Sequence, residues 1–410
     1  MIKDLDKKIR AYALKNAIAH EGKAQTGAIL SSLFHEGLKK EEVKKILPQI
    51  NKILSEVNST LLPQQKTEYE KLEKIVSERE ERVGLPEIPI NTKGKIVTRF
   101  APSPSGPLHI GHAATGTLSA LYAKKNKGKF YVRIEDTNPD NIYKPAYKMI
   151  TEEAKWLWGE DTKVIIQSDR MPLYYKYIQI LFKKNTIYVC TCSSEEFKKL
   201  IDNQKACPCR ANSIKDNLER WKKMISNSKK EQFKEGGAVI RFKSNLHDPN
   251  PAFRDFPLAR INDSTHPRQA KKYRVWPLMN LAVTVDDIEL KVTHAIRASD
   301  HRDNATRQMM LFKVLDQKAP WSAFVGRYNF TDLELSSTKM RQEIEQHKYT
   351  GWDDPRLPTI ASLKKQGYNP QAFWGISVRS GLNEANKTLT KKEYFELLDY
   401  FNKHTDEILL

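Results

Sequence analysis

Cysteine is scarce in this 410-residue chain, and all four of its cysteines lie between residues 190 and 209. Long apolar runs are missing as well. No stretch approaches the length needed to cross a bilayer. The N-terminus, MIKDLDKKIRAYALKNAIAH, alternates charged and apolar residues where a secretory leader would have an uninterrupted apolar core. The expectation is therefore a cytoplasmic protein without membrane attachment. There is no internal repeat, no extended low-complexity tract and no collagenous or broadly disordered composition; 39% hydrophobic and 29% charged residues suffice for roughly two to four globular domains. Negative charge is in short supply: 50 Asp and Glu face 69 Lys and Arg, for a net charge of +19 and a pI near 9.5. An excess of that size points to a polyanionic partner such as nucleic acid, although it also serves solubility.

What is present falls into blocks. Residues 1–84 read as helices, broken near Gly22, Gly37 and Pro63 and closed by the charged helix QQKTEYEKLEKIVSEREERVG; they form a separate helical domain. LPEIPINTKG at 85–94 has the prolines and glycine of an extended linker. From 95 to 186 strands alternate with helices: KIVTRF, a helix after Gly111, KFYVRIED, then a helix through YKMITEEAKWLWG. Strand, helix, strand is the pattern of a parallel sheet covered by helices, an α/β fold. A second such half, 271–328, holds WPLMNLAVTVDD, VTHAIRASDH and a helix at NATRQMMLFKVL. Between the halves, 187–270 is an insertion with the cysteines, the polar stretch KKMISNSKKEQFKEGG and a strand-like AVIRFK. Residues 329–410 read as helical and basic.

Two places carry chemistry. In RFAPSPSGPLHIGHA, residues 99–113, Pro102, Pro104 and Pro107 forbid a helix and stiffen the loop, and the small and apolar residues after Gly111 resume helical spacing. A strand, a rigid loop and a helix N-terminus make a phosphate-binding arrangement, because free backbone N–H groups and the helix dipole favour an anion. His109 and His112, three apart, face one side and can donate to phosphate oxygens, while Gly111 lets a flat ring approach the backbone. As a bare tetrapeptide HIGH could arise by chance; its position gives it meaning. The second place is Cys190-x-Cys192, fourteen residues, then Cys207-x-Cys209. Two close pairs in a cytosolic chain supply the four thiolates of a closed tetrahedral structural Zn2+ site, with disulfides as the alternative that the compartment disfavours.

RFAPSPSGPLHIGHA resembles the signature of class I aminoacyl-tRNA synthetases in its glutamyl-tRNA synthetase form. The resemblance continues in family order through YVRIEDTNPD (131–140), IIQSDR (165–170), NPAFRDFPLARI (250–261), VWPLMNLAVTVDD (275–287), THAIRASDH (293–301) and GWDDPRLPTI (351–360). The helical N-terminal module, with LKNAIAHEGKAQTGAI, looks like the archaeal type. The resemblance implies a Rossmann-like parallel-sheet catalytic core split by a zinc-bearing insertion that binds the tRNA acceptor end, with helical N- and C-terminal domains. It implies that ATP, with Mg2+, and L-glutamate give glutamyl-adenylate, and that the glutamyl group then passes to the tRNA 3′-terminal adenosine.

Carried over position by position, His109, Gly111, His112 and Ser336 would hold ATP, with His109, His112 and Lys339 catalytic. The signature loop of this class is written KMSKS, and the candidate here, ELSSTKMRQ (334–342), departs from it: its lysine positions fall on Glu334 and Ser337, and Lys339 is displaced. Lys339 is nonetheless the expected partner of the departing pyrophosphate, against a bland reading as a surface lysine. For glutamate, Arg99 would pair with the side-chain carboxylate, Ala101 and Ser103 would line the pocket and Glu135 would hold the α-amino group. Arg297 stands where glutaminyl relatives have cysteine, so a second cation favours glutamate; its alternative is a structural ion pair with Asp300. Met279 stands where many relatives have a tyrosine that touches substrate. Archaeal relatives continue past LLDYFNKHTDEILL into β-barrels that read the anticodon, so those barrels are expected to be lacking. The chain is expected to act as a monomer, with the N-terminal module as a surface for a protein partner. The competing readings are a glutaminyl enzyme, a non-catalytic RNA-binding or assembly protein, and an enzyme that glutamylates a modified base.

Overall fold

The computed structural model describes residues 4–76, 84–90 and 95–408, in two compact units divided after Glu81. In the first unit, α1 (Leu5–Ala19), α2 (Thr26–His35), α3 (Val43–Ser59) and α4 (Leu62–Leu72) pack around a core of Ile9, Leu14, Ile29, Leu33, Ile50 and Val57. Gln65, fully buried on α4, donates through Nε2 to the carbonyls of Gly22, Val57 and Thr60 at 3.1, 2.8 and 3.0 Å. One amide thus satisfies backbone groups left open at two helix breaks. The charged stretch expected to be helical to 84 ends its regular helix at Leu72 and passes through a short 3-10 turn to Ile75; residues 77–83 lie outside the described residues, as do 91–94 of the expected linker.

The second unit begins its sheet with β1 (Val97–Phe100), followed by α5 (Ile110–Lys125), β2 (Lys129–Ile134), α6 (Ala146–Trp158), β3 (Lys163–Ile166) and α7 (Met171–Lys183). β1, β2 and β3 pair in parallel, in the register Arg99 opposite Tyr131 and Arg133 opposite Ile165. All four β1 residues are buried, as expected of a strand covered on both faces. An antiparallel sheet follows, β4 (Ile187–Cys190), β5 (Val239–Phe242), β6 (Pro257–Ile261) and β7 (Val275–Pro277), with α8 (Ser194–Asp202) and α9 (Ile214–Ile225) between its first two strands. β7 carries this sheet past residue 270, where the sequence reading ended the insertion.

The chain then forms α10 (Met279–Glu289), β8 (His294–Ala298), α11 (Arg302–Val314) and β9 (Trp321–Val325), with β8 and β9 parallel. β8 lies beside β1, joined where Thr293 N–H donates to the Val97 carbonyl at 2.9 Å. After β10 (Tyr328–Phe330) come α12 (Ser337–Glu345), α13 (Ile360–Lys365), α14 (Pro370–Ser380), β11 (Lys387–Leu389) and α15 (Lys391–Lys403). The parallel pair β10–β11 was not anticipated from the sequence, since each strand has only three residues and no alternation to read. The result is a mixed α/β protein with parallel sheets and many helices. Among the described residues no helix is long and apolar enough to cross a membrane.

Candidate active site

The proline loop ends as its composition requires. His109 is extended and caps α5, which starts at Ile110, one residue before Gly111. Gly111 N–H donates to His109 Nδ1 at 3.1 Å, and His109 N–H donates to His112 Nδ1 at 3.4 Å. The two imidazoles stack with centroids 3.7 Å apart. Burial lowers both: His112 to about 4, and His109 well below the usual imidazole range with the neighbouring ring adding to the effect. Both are therefore neutral at pH 7. Because each Nδ1 accepts a backbone N–H, the ring proton belongs on Nε2, leaving one donor per ring. A side chain at Gly111 would meet the His109 ring at 3.0 Å and Leu335 at 3.3 Å, so glycine keeps the helix start open.

The loop is also fixed from behind. Glu153 on α6, 7% exposed, accepts from Leu108 N–H through Oε2 at 2.7 Å, while its Oε1 has no full hydrogen-bond partner. Leu108 and Ile110 in turn exchange backbone bonds with Ile360 and Pro358 at the start of α13.

A cleft of about 720 Å³ opens beside this helix start, and it gathers Arg99, Ala101, Ser103, His109, Gly111, His112, Glu135, Met279 and Arg297 from β1, the proline loop, α5, β2, α10 and β8. Most of the residues singled out in the sequence thus share one cavity at the C-terminal ends of parallel strands, where open α/β sheets place ligands. Ser336 and Lys339 do not line it. Ser336 caps α12, its Oγ accepting from Lys339 N–H at 3.3 Å, and Lys339 Nζ pairs with Glu334 at 3.2 Å at the rim. Arg297 does not pair with Asp300, whose carboxylate goes to Arg327; its neighbours are Gln308 and Asp287.

Beneath the cleft lies a buried charge cluster that sequence reasoning missed. Arg133, fully buried on β2, pairs with Asp287 at 2.6 Å and with Glu135 at 3.1 Å, and lies 3.7 Å from Asp286. Burial opposes its charge, but these three carboxylates hold it charged more firmly than an ordinary arginine. Arg170 takes the other side of Asp286 at 2.7 Å. Arg99 reaches Asp287 and the Ile296 carbonyl only at 3.4 Å each, and Arg297 is 3.9 Å from Asp287 with a buried Nε that has no partner. Burial lowers both, Arg297 to about 9 with the Arg99 guanidinium adding to it. Burial likewise raises Glu135, offset in part by Arg133 and Arg99. For Asp287, burial favours the neutral form, yet Arg99, Arg133 and Arg297 together keep it below its usual range. Two under-paired guanidiniums lining one cavity have the chemistry to bind a carboxylate. The signals were in RIED and VDD, where charged residues interrupt strand and helix faces that are otherwise apolar.

The four thiols lie elsewhere, at the end of β4 and in the turn after α8. Their sulfurs fall within 4.8 Å of one another, with Cys190 3.7 Å from Cys207 and Cys192 3.9 Å from Cys209. A tetrahedral zinc with bonds of about 2.3 Å sets its sulfurs roughly 3.8 Å apart, so this set fits one such ion. Thr191 N–H and Arg220 Nη1 donate to Cys209 Sγ at 3.5 and 3.4 Å, as donors around a metal-bound thiolate do.

Comparison with known proteins agrees with this geometry. The sequence profile described as tRNA synthetases class I (E and Q), catalytic domain, matches residues 95–403. The chain is 41% identical over 398 residues to the glutamate–tRNA ligase of Pyrococcus furiosus, covering 94% of this chain and 69% of that protein. It is 40% identical over 403 residues to that of Methanothermobacter marburgensis, covering 97% and 71%. A crystal structure of a glutamate tRNA ligase from Elizabethkingia meningosepticum superposes with a TM-score of 0.54 at 20% identity, over 74% of this chain and 69% of that one, which speaks to the fold. With this profile matching residues 95–403 and with these relatives, the chain belongs to the class I tRNA synthetases of the glutamate and glutamine branch.

Proposed function

We infer that this chain ligates L-glutamate to tRNA, using ATP to form glutamyl-adenylate and passing the glutamyl group to the 3′-terminal adenosine. The observation that carries the choice of glutamate is the pair of under-paired guanidiniums, Arg99 and Arg297, lining one cavity. In the first step a glutamate carboxylate oxygen attacks the α-phosphorus and pyrophosphate leaves. In the second a ribose hydroxyl attacks the acyl carbon and AMP leaves. Neither step needs a protein nucleophile; positioned donors and charge suffice. The Nε2–H groups of His109 and His112 and the first N–H groups of α5 would hold phosphate oxygens. Lys339, released from Glu334, would meet the departing pyrophosphate. Glu135 would hold the α-ammonium group, and Ala101 and Ser103 would bound the pocket.

Cys190, Cys192, Cys207 and Cys209 would bind one structural zinc, which closes the tip of the antiparallel insertion and does no chemistry. That insertion, taken with the Rossmann-like halves on either side, would grip the acceptor end, consistent with the net charge of +19. On the same reading the enzyme works in the cytoplasm as a monomer, and the helical N-terminal unit is available to a protein partner.

The test is pyrophosphate exchange into ATP, driven by glutamate or by glutamine in the presence of tRNA. Glutamate should drive it and glutamine should not. In Arg297→Cys, kcat/KM for glutamate should fall by about two decades, while any trace activity with glutamine holds or rises, because glutamine brings no charge to neutralise. An equal loss with both would make Arg297 structural.

A further inference from the structure

The charges around the carboxylate pocket do not balance. Four guanidiniums, Arg99, Arg133, Arg170 and Arg297, face three carboxylates, Glu135, Asp286 and Asp287, and all seven are linked by contacts within 4 Å. Arg133 and Arg170 take the close contacts, and Asp287 is shared by three cations, so the uncompensated charge falls on the cleft side. There Arg297 stands nine-tenths buried. Its one close hydrogen bond goes from Nη1 to Oε1 of Gln308, a residue of α11 that is 2% exposed and also lines the cleft. Gln308 Nε2 in turn donates to Asn280 Oδ1 on α10 at 3.3 Å. A buried arginine that needs an acceptor is ordinarily met by Asp or Glu, which would neutralise it. Here the acceptor is an amide, and the next residue along is another amide. Gln308 holds the guanidinium, and Asn280 holds Gln308, without either cancelling the charge.

We propose that Gln308 is a specificity-determining positioning residue: by fixing Arg297 through a neutral acceptor it keeps the pocket one positive charge in excess, so that only a substrate bringing its own carboxylate completes the cluster. A glutamate at position 308 would supply that carboxylate from the protein and remove the need for one on the substrate. Neutral glutamine would then no longer be at a disadvantage. The inference rests on the assignment of Arg99 and Arg297 to the substrate side chain, and the experiment separates the two claims.

The measurement is the ratio of kcat/KM for glutamate to that for glutamine in tRNA-dependent pyrophosphate exchange. Gln308→Glu should lower this ratio at least tenfold, chiefly by raising KM for glutamate. Gln308→Met, similar in size and without charge, leaves Arg297 charged but without its acceptor and should lower the ratio by much less than Gln308→Glu does. Asn280→Asp brings the same charge one hydrogen bond further out and should lower the ratio several-fold, which keeps the claim testable if Gln308→Glu does not fold. An unchanged ratio in the folded acidic variants overturns the proposal. So does an equal fall in Gln308→Met, which would make shape the cause. If the proposal fails while Arg297→Cys still costs glutamate selectively, the pocket assignment stands without Gln308; if Arg297→Cys leaves the ratio unchanged, both fall.

Discussion

Glu153→Gln should make the larger unit more resistant to alkali, and the reason lies in the carboxyl group behind the proline loop. Glu153 is 7% exposed, and burial pushes it up to about 8 even though the amides of Leu108 and Ala361 favour its charged form. In the unfolded chain a glutamate titrates near 4.3. Between these values the folded protein holds a proton that the unfolded chain has lost. The stabilising contribution is thus fully present below about 4.3 and is lost as pH rises towards 8, by at most about 1.4 kcal/mol per unit, or about 5 kcal/mol over the window. Glutamine copies the protonated form: it keeps an oxygen for Leu108 N–H and has nothing to titrate.

The assay is urea unfolding followed by tryptophan fluorescence at pH 5 and pH 8.5. All seven tryptophans lie between residues 156 and 374, so the signal reports the unit that contains Glu153. Parent and variant should be close at pH 5, and the variant should be more stable by about 2 kcal/mol or more at pH 8.5; titrations common to both cancel in the difference. A difference that does not change with pH would refute the reasoning, since it would mean the carboxylate is charged and satisfied in the fold. Glu153→Ala, which leaves the Leu108 N–H without its acceptor, should cost about 1–3 kcal/mol at pH 5, and because alanine also has nothing to titrate, that cost should shrink or reverse at pH 8.5.

Other expectations follow from the cleft and the thiols. His109→Ala and His112→Ala should each cut adenylate formation by about two decades, well beyond the loss of about 0.5–2 kcal/mol of stability that removing a cap of α5 brings; near-normal exchange in both would remove their assignment. Since both rings are already neutral, exchange rates between pH 6 and 8 should show no step from imidazole titration, and a fall near pH 6.5 that vanishes in the His112 variant would contradict that. Metal analysis of purified protein should find about one zinc per chain, and Cys190→Ser should lose it and weaken tRNA use more than ATP binding. Metal well below one equivalent after purification without chelators would remove the zinc assignment.

Much of the cleft was legible because its residues sit where local rules apply. Three prolines, two histidines three apart and a helix of small residues can be recognised without knowing what packs on them, and two close cysteine pairs announce one cluster. The charge cluster was not legible in the same way. Arg133, Asp287 and Gln308 matter through partners as many as 188 residues away in the chain, and a side chain's burial and pairing cannot be read from its neighbours in sequence. Arg297 shows both sides: its presence in THAIRASDH was visible, but the nearest acid in sequence, Asp300, proved to serve Arg327 while Gln308 and Asp287 face Arg297. The strands β10 and β11 escaped because three residues give no period. That β7 pairs with β6 beyond residue 270 was not visible either, because three residues give no period and β7 runs into α10 without a break in composition.

The signature segment carries a consequence in time. A methyl group at Gly106 would meet Ser337 Cβ at 2.9 Å and the Trp352 ring at 3.0 Å, so the proline loop and the first turn of α12 touch with no side chain's thickness between them. Separating them would strip an aromatic ring of its cover, a collective motion of the microsecond kind. Lys339 needs no such motion. Its ammonium rests on Glu334, a residue of the cleft wall, and its side chain is more than half exposed. Release of the ammonium from that carboxylate requires only rotation about side-chain bonds, which takes picoseconds to nanoseconds for an exposed side chain. On the proposed assignment, the arrival of Lys339 at pyrophosphate would begin with a rotamer change away from Glu334 and not with the parting of α12 from the proline loop.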